Sequence, residues 1–126
     1  MVVECKGLIL ADNIRIADSF TTRFKGLMGK KSLGDGEGLL LMNCPSIHCF
    51  FMKMPIDAVY LSKDMTVLGI ETLPPWRIGH HIKNTAHVLE LAAGTSLMTV
   101  GSTLQFSNSS SAPINLGGMS DARVKQ

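Results

Sequence analysis

Ile56-Asp-Ala-Val-Tyr-Leu61, Ser62-Lys-Asp64 and Met65-Thr-Val-Leu-Gly-Ile-Glu-Thr-Leu73 decide the reading of the fold. Two runs rich in β-branched, aromatic and apolar residues flank a three-residue polar turn, the pattern of two consecutive strands. Working outward, Leu39 to Asn43 reads as a buried strand interrupted by Pro45. Ile47 to Met52 reads as another, joined to Ile56–Leu61 through Lys53-Met54-Pro55. Pro55 has no N–H to give a ladder, so it belongs at the turn or the first strand position. Downstream, Val88 to Leu91 and Thr103 to Phe106 are short strands. Upstream, Val2 to Leu10 pairs as a hairpin with a strand carrying Ile14, Ile16 and Phe20, turning at Asp12-Asn13.

Two stretches have helical character. Phe24, Leu27 and Met28 sit at i, i+3, i+4 within Thr21 to Lys31, and Thr95 caps a helical turn reaching Met98 or Val100. Many short strands with regular turn signals predict a mostly β chain. The expected form is a single-domain antiparallel sandwich or partly closed barrel with one or two short helices, an α+β layering being the alternative. Residues 1–106 form that domain, and 107–126, rich in Ser, Gly and Pro, form a flexible tail.

Composition bounds the function. The chain has 126 residues, 45% apolar and 17% charged, with a formal net charge of +2. One core-forming domain is implied, and the charge is too small to make nucleic acid or an anionic membrane the main partner. No apolar run approaches the roughly 18 residues of a membrane span. Cys5, Cys44 and Cys49 are an odd number, which favours a reducing compartment over a disulfide framework. The N-terminal residues do not read as a signal peptide, so a cytoplasmic, soluble protein is expected.

Three groups of residues bear on chemistry. Cys44, His48, Met52 and Met54 hold soft-metal donors, but their spacing fits no zinc pattern, and no metal or other cofactor is expected. Cys44 with His48 is a thinkable thiolate pair. Asp57 begins an apolar strand, where a carboxylate is costly without hydrogen bonds. Arg23 or backbone amides are its expected partners. Glu90 between Leu89 and Leu91 poses the same question. Last, Pro74 to Ala86 reads as an exposed loop whose Arg77, His80, His81 and Lys83 make a local cationic patch without an acid. His87 extends it, and Trp76 stands ready to stack on a ring.

Taken in order, Arg23-Phe-Lys-Gly-Leu-Met-Gly29, Gly38-Leu-Leu-Leu41 and Cys44-Pro-Ser-Ile-His-Cys-Phe-Phe-Met52 are three of six familiar pieces. Pro55-Ile-Asp-Ala-Val-Tyr-Leu61, Leu73-Pro-Pro-Trp-Arg77 and Val88-Leu-Glu-Leu-Ala-Ala-Gly94 complete them. Together they resemble the bacterial and archaeal domain-of-unknown-function family 192 over residues 8 to 106. The resemblance implies a small, mostly β fold and no particular reaction. It also implies an extracytoplasmic location as the alternative, since many relatives resemble secreted or anchored proteins. Matching its recurrent motif are Arg23, Gly26, Met28, His48, Met52, Asp57, Glu90 and Gly94, while Cys49 stands where the family often has Thr or Trp.

The ionisable motif residues, Arg23, His48, Asp57 and Glu90, come from four segments and form one polar site if the fold gathers them. The leading expectation is a binding or accessory module for a small polar ligand or a partner protein. Its ligand would sit in a cleft between residues 47–61 and the Pro74–His87 loop, with Trp76, Arg77, His80 and His81 as a loop patch. An enzyme using His48 with Asp57 or Glu90 as acid or base is the first alternative. A copper or zinc binder using Cys44, His48, Met52 and Met54 is the second.

Overall fold

The sandwich is built from strands that the turn chemistry cuts short. A computed structural model describes residues 1–18, 32–45, 54–77, 79–94 and 98–108. These form β1 (Val2–Cys5), β2 (Leu8–Ala11), β3 (Asn13–Ala17), β4 (Glu37–Leu41), β5 (Ile56–Leu61), β6 (Val67–Leu73), β7 (His87–Ala92) and β8 (Gln105–Ser107). One sheet runs β2-β1-β8, the other β3-β4-β7-β5-β6, and the two are not closed into a barrel.

The first hairpin differs from its expected form. It turns at Lys6-Gly7, where φ is 53° and 81°, between paired Cys5 and Leu8. Two consecutive left-handed residues make the tight turn whose twist matches a hairpin, and Gly7 takes that geometry without strain. The Asp12-Asn13 signal instead marks the switch between sheets. Asp12 and Asn13 both donate their N–H to the Gly36 carbonyl, and β3 then enters the larger sheet.

There β3 pairs with β4 in parallel register, Ile14 opposite Gly38 and Ile16 opposite Leu40. The sheet is therefore mixed rather than purely antiparallel. The long connection between Ala17 and Glu37 permits this, since a parallel pair needs a crossover of a dozen or more residues.

The expected hairpin of residues 47–61 is also corrected. All of β5 is paired on one edge with β6 and on the other with β7, so no free edge remains for residues 47–52, which lie outside the described residues. β7 lies between β4 and β5, so the two strands buried on both faces, β5 and β7, stand side by side inside the sheet with partners on both edges.

Alternation then divides the core. Val59, Leu61, Leu40, Leu89 and Leu91 meet Val3, Cys5, Ala11 and Leu104 between the sheets. Ile56, Ala58, Tyr60, Leu39, Leu41 and Val88 make a second cluster on the other face of the larger sheet, with Leu33, Cys44 and Ile82 packed against it. Each fully buried Leu or Val contributes about 1.5–3 kcal/mol. Met54, which the sequence places in a turn, is buried in this second cluster.

Among the described residues no helix is present; of the expected helical turn, Thr95–Leu97 lie outside them and Met98–Val100 are not helical. The expected helix of Thr21–Lys31 lies outside them, as does the tail beyond Asn108. No helix of the described residues is long and apolar enough to cross a membrane.

Gly38 shows how tightly β4 is enclosed. A Cβ there would lie 2.7 Å from Ile14 Cδ1, 2.7 Å from Leu91 Cδ2 and 2.9 Å from the Glu90 carbonyl oxygen. Because that carbonyl belongs to a central ladder, it cannot move away cheaply. Gly38→Ala is expected to lower stability by about 1–3 kcal/mol in urea unfolding; an unchanged midpoint would show that the strands are free to part.

Candidate functional site

β5 and β7 carry the chemistry because they are the strands with no solvent face. In Ile56–Leu61 every residue is buried, and in His87–Ala92 only the last is not. Besides the Tyr60 phenol, the ionisable groups in those runs are Asp57, His87 and Glu90.

Asp57 faces the side of Val59 and Leu61. The Thr72 hydroxyl on the neighbouring strand donates to its Oδ1 at 2.6 Å, and the Gly94 N–H donates to its Oδ2 at 2.9 Å. Gly94 has φ 82°, so the turn after β7 points an amide at the carboxylate. Asp57 thus ties the start of β5 to β6 and to the end of β7.

His87 is held by the Asn43 N–H, which donates to Nδ1 at 2.9 Å. Burial pushes its imidazole below the usual value. The ring is neutral, since an accepting Nδ1 carries no proton. His87 is therefore a core residue of β7 and no part of the loop patch.

Glu90 faces the opposite way from Asp57. It pairs with Ala58 on β5 and Leu39 on β4, while Asp57 pairs with Leu91. Its side chain is 2% exposed, and its Oε1 is buried without a hydrogen-bond partner. Burial raises the carboxyl from its ordinary 4.5 to about 8, so Glu90 is protonated at neutral pH.

On the far side of Ala58 stands Glu71, so Leu39, Glu90, Ala58 and Glu71 form a row across four strands. Glu71 is the opposite case. Partial burial works to raise its carboxyl, but hydrogen bonds from Tyr60 and His80 outweigh it and the net shift is downward. The Tyr60 hydroxyl donates to Oε2 at 2.5 Å, the His80 N–H reaches Oε2 at 2.8 Å, and His80 Nδ1 lies 2.7 Å from Oε1.

This bond fastens the loop to the sheet. Trp76, Arg77, His80 and His81 are all exposed, Trp76 by 59%. Yet the acid missing from the loop's own sequence arrives from β6. Two residues past His80, Ile82 lies over Gly69, where a Cβ would come within 2.5 Å of its Cδ1.

The end of the same loop meets the β5–β6 turn. Ala86 N–H donates to the Leu61 carbonyl at 2.8 Å and Cys44 N–H to the Ala86 carbonyl at 2.9 Å. Between turn and loop lies a cavity of about 400 Å³ lined by Ser62, Lys63, Asp64, Asn84, Thr85 and Ala86. The turn is rigid: Met65 N–H donates to the Ser62 carbonyl, and the Ser62 hydroxyl donates to Asp64 Oδ1. Hydrogen bonds from Ser62 and Thr66 hold the Asp64 carboxyl below its usual value. Thr85 Oγ1, in the opposite wall, is buried with no hydrogen-bond partner.

With this geometry in view, comparison with known proteins is direct. The model of the family DUF192, described as "Uncharacterized ACR", matches residues 2–106. The chain belongs to the DUF192 family. A UPF0127 protein of Pyrococcus horikoshii is 41% identical over 81 residues, which are 62% of this chain and 70% of that protein. A UPF0127 protein of Thermococcus kodakarensis is 30% identical over 98 residues, 75% of this chain and 62% of that protein. The crystal structure of a protein of unknown function from Novosphingobium aromaticivorans shares the fold, with TM-score 0.73 at 21% identity over 83% of this chain and 82% of that one.

Of the DUF192 motif's ionisable residues, Asp57 and Glu90 are described and stand on neighbouring strands, but the sheet separates their side chains to opposite faces. Arg23 and His48 lie outside the described residues, as do Met52 and Cys49. Among the described residues no three His, Cys, Asp or Glu side chains gather as a metal site. Glu71, Tyr60 and Thr85 are not singled out by the sequence, and the Ser62–Asp64 segment is legible there as a turn but not as part of a site.

Glu90 makes a clear prediction. Its native carboxyl holds a proton that the unfolded chain loses between about 4.5 and about 8. Stability is full below that window and falls as pH rises through it, by about 1.4 kcal/mol per pH unit at the steepest. Urea midpoints of the natural protein should drop between pH 5 and pH 8, and those of Glu90→Gln should drop less. Equal slopes would mean that Glu90 titrates normally.

Proposed function

We propose that this DUF192 domain is a binding module for a small polar ligand, seated between the β5–β6 turn and the loop before β7. The observation that carries the reading is the Thr85 hydroxyl, buried in the wall of the cavity and left without a partner. A buried polar atom without a hydrogen bond costs about 1–3 kcal/mol. Oγ1 is closed to solvent, so a ligand that turns the Thr85 side chain toward the cavity and hydrogen-bonds to Oγ1 removes that cost. Around it, the Lys63 ammonium and Asn84 amide make no hydrogen bond among the described residues, while the hydrogen-bonded turn and the pinned loop hold the walls in place. The volume, about 400 Å³, falls within the range of small-molecule sites, roughly 300–1,000 Å³.

A second reading has its own support in Glu90. A buried, protonated carboxyl with an unoccupied oxygen is the form a general acid takes at neutral pH. In an enzyme of this fold Glu90 would give the proton. Asp57, already engaged by Thr72 and Gly94, would hold the sheet. A pH-dependent reaction abolished in Glu90→Gln with the fold intact would favour this reading over the first.

The binding reading predicts a trade between stability and binding at Thr85. Thr85→Val replaces the orphaned hydroxyl with a methyl group. It is expected to raise the unliganded protein's stability by about 1 kcal/mol, measured by urea unfolding. A fall in stability instead would show that the hydroxyl is satisfied within the free protein, and would remove the main support for a ligand there.

A further inference from the structure

We propose that the occupant of this cavity is zwitterionic, an ammonium and a carboxylate carried on one short skeleton, as in an α-amino acid. The proposal rests on the binding reading above and narrows it to a ligand class.

The two charges of the cavity come from consecutive residues. Lys63 and Asp64 both line it, both are exposed, and no ion pair joins either to another side chain among the described residues. A cation and an anion that neighbour each other in a turn, but do not pair, leave both free to meet charges brought by an occupant. The Asp64 carboxylate is held by hydrogen bonds from Ser62 and Thr66 and is exposed, and a carboxylate has about four lone-pair sites, so it can accept from an ammonium as well. Lys63 supplies the complementary charge, and the Asn84 side chain across the cavity supplies an amide donor for a carboxylate.

Charge balance separates the possible occupants. A simple anion drawn to Lys63 is repelled by Asp64, and a simple cation drawn to Asp64 is repelled by Lys63. A molecule bearing both charges meets each with its opposite and gains from both. The cavity, about 400 Å³, lies within the range of small-molecule sites, so a molecule of amino-acid size fits inside it.

The test uses the full chain, ¹⁵N-labelled, titrated near neutral pH with L-alanine and with its two halves, propionate and ethylamine. Alanine is expected to shift the amides of Ser62, Lys63, Asp64, Asn84, Thr85 and Ala86, and to bind about 10-fold or more tightly than either half. Lys63→Met, an exposed position that does not threaten the fold, should weaken alanine by about 5- to 10-fold with the rest of the spectrum unchanged. Propionate binding as tightly as alanine would overturn the zwitterion proposal and leave the binding reading standing. No shift at these amides with any of the three would also overturn it. A panel of sugars, polyols and nucleosides on the same amides then decides the wider reading: shifts keep it, and silence removes it.

Discussion

Burial of β5 and β7 on both faces is the constraint from which the rest of the structure follows. A strand with one wet face can send a polar side chain to water. Ile56–Leu61 and His87–Ala92 have no such face, so each ionisable group they carry must be hydrogen-bonded or neutral. Three solutions appear side by side. Asp57 takes donors from Thr72 and Gly94. His87 gives up its charge and accepts from the Asn43 backbone. Glu90 keeps its proton and leaves Oε1 without a partner. The first two also serve as ties, joining β5 to the turn after β7 and β7 to the turn after β4.

The same constraint shapes the surface. Covering the second face of the larger sheet calls for chain that crosses it, and the loop before β7 does part of this. Glu71 fastens it through His80, Gly69 leaves room for Ile82, and Ala86 closes the path against Leu61 and Cys44. The cavity at the end of β5 is a product of that route. It forms where the loop, having crossed, meets the turn that leaves β5. The recess has a hydrogen-bonded turn on one side and a pinned loop on the other.

Much of this was legible from residue order. Ile56–Leu61 was read with its true bounds, and β4, β6, β7 and β8 within a few residues, because alternation, Gly and Pro mark them. The mostly β sandwich and its family were legible too. Pairing was not. Lys6-Gly7 turns the chain as tightly as an Asn-Gly pair would, but lysine carries no turn signal, so the first hairpin was placed too late. The parallel β3–β4 pair and the insertion of β7 beside β5 depend on which apolar faces need covering, a property of the whole sheet. Asp57 was suspected of needing hydrogen bonds and has them. Its separation from Glu90 follows from strand alternation, yet only once the two strands are known to be neighbours in register. Glu71 escaped notice because its partner, His80, lies nine residues further on in a loop that looked free of acids.

The central claim is that burial on both sheet faces forces Glu90 to stay protonated. The carboxyl carbon of Glu90, followed by ¹³C NMR as pH is raised, tests it directly. The expected course is no movement through the ordinary range near 4.5 and a midpoint at about 8. A midpoint near 4.5 in the folded protein would contradict it, because the carboxylate would then be solvated or paired and the strand not sealed.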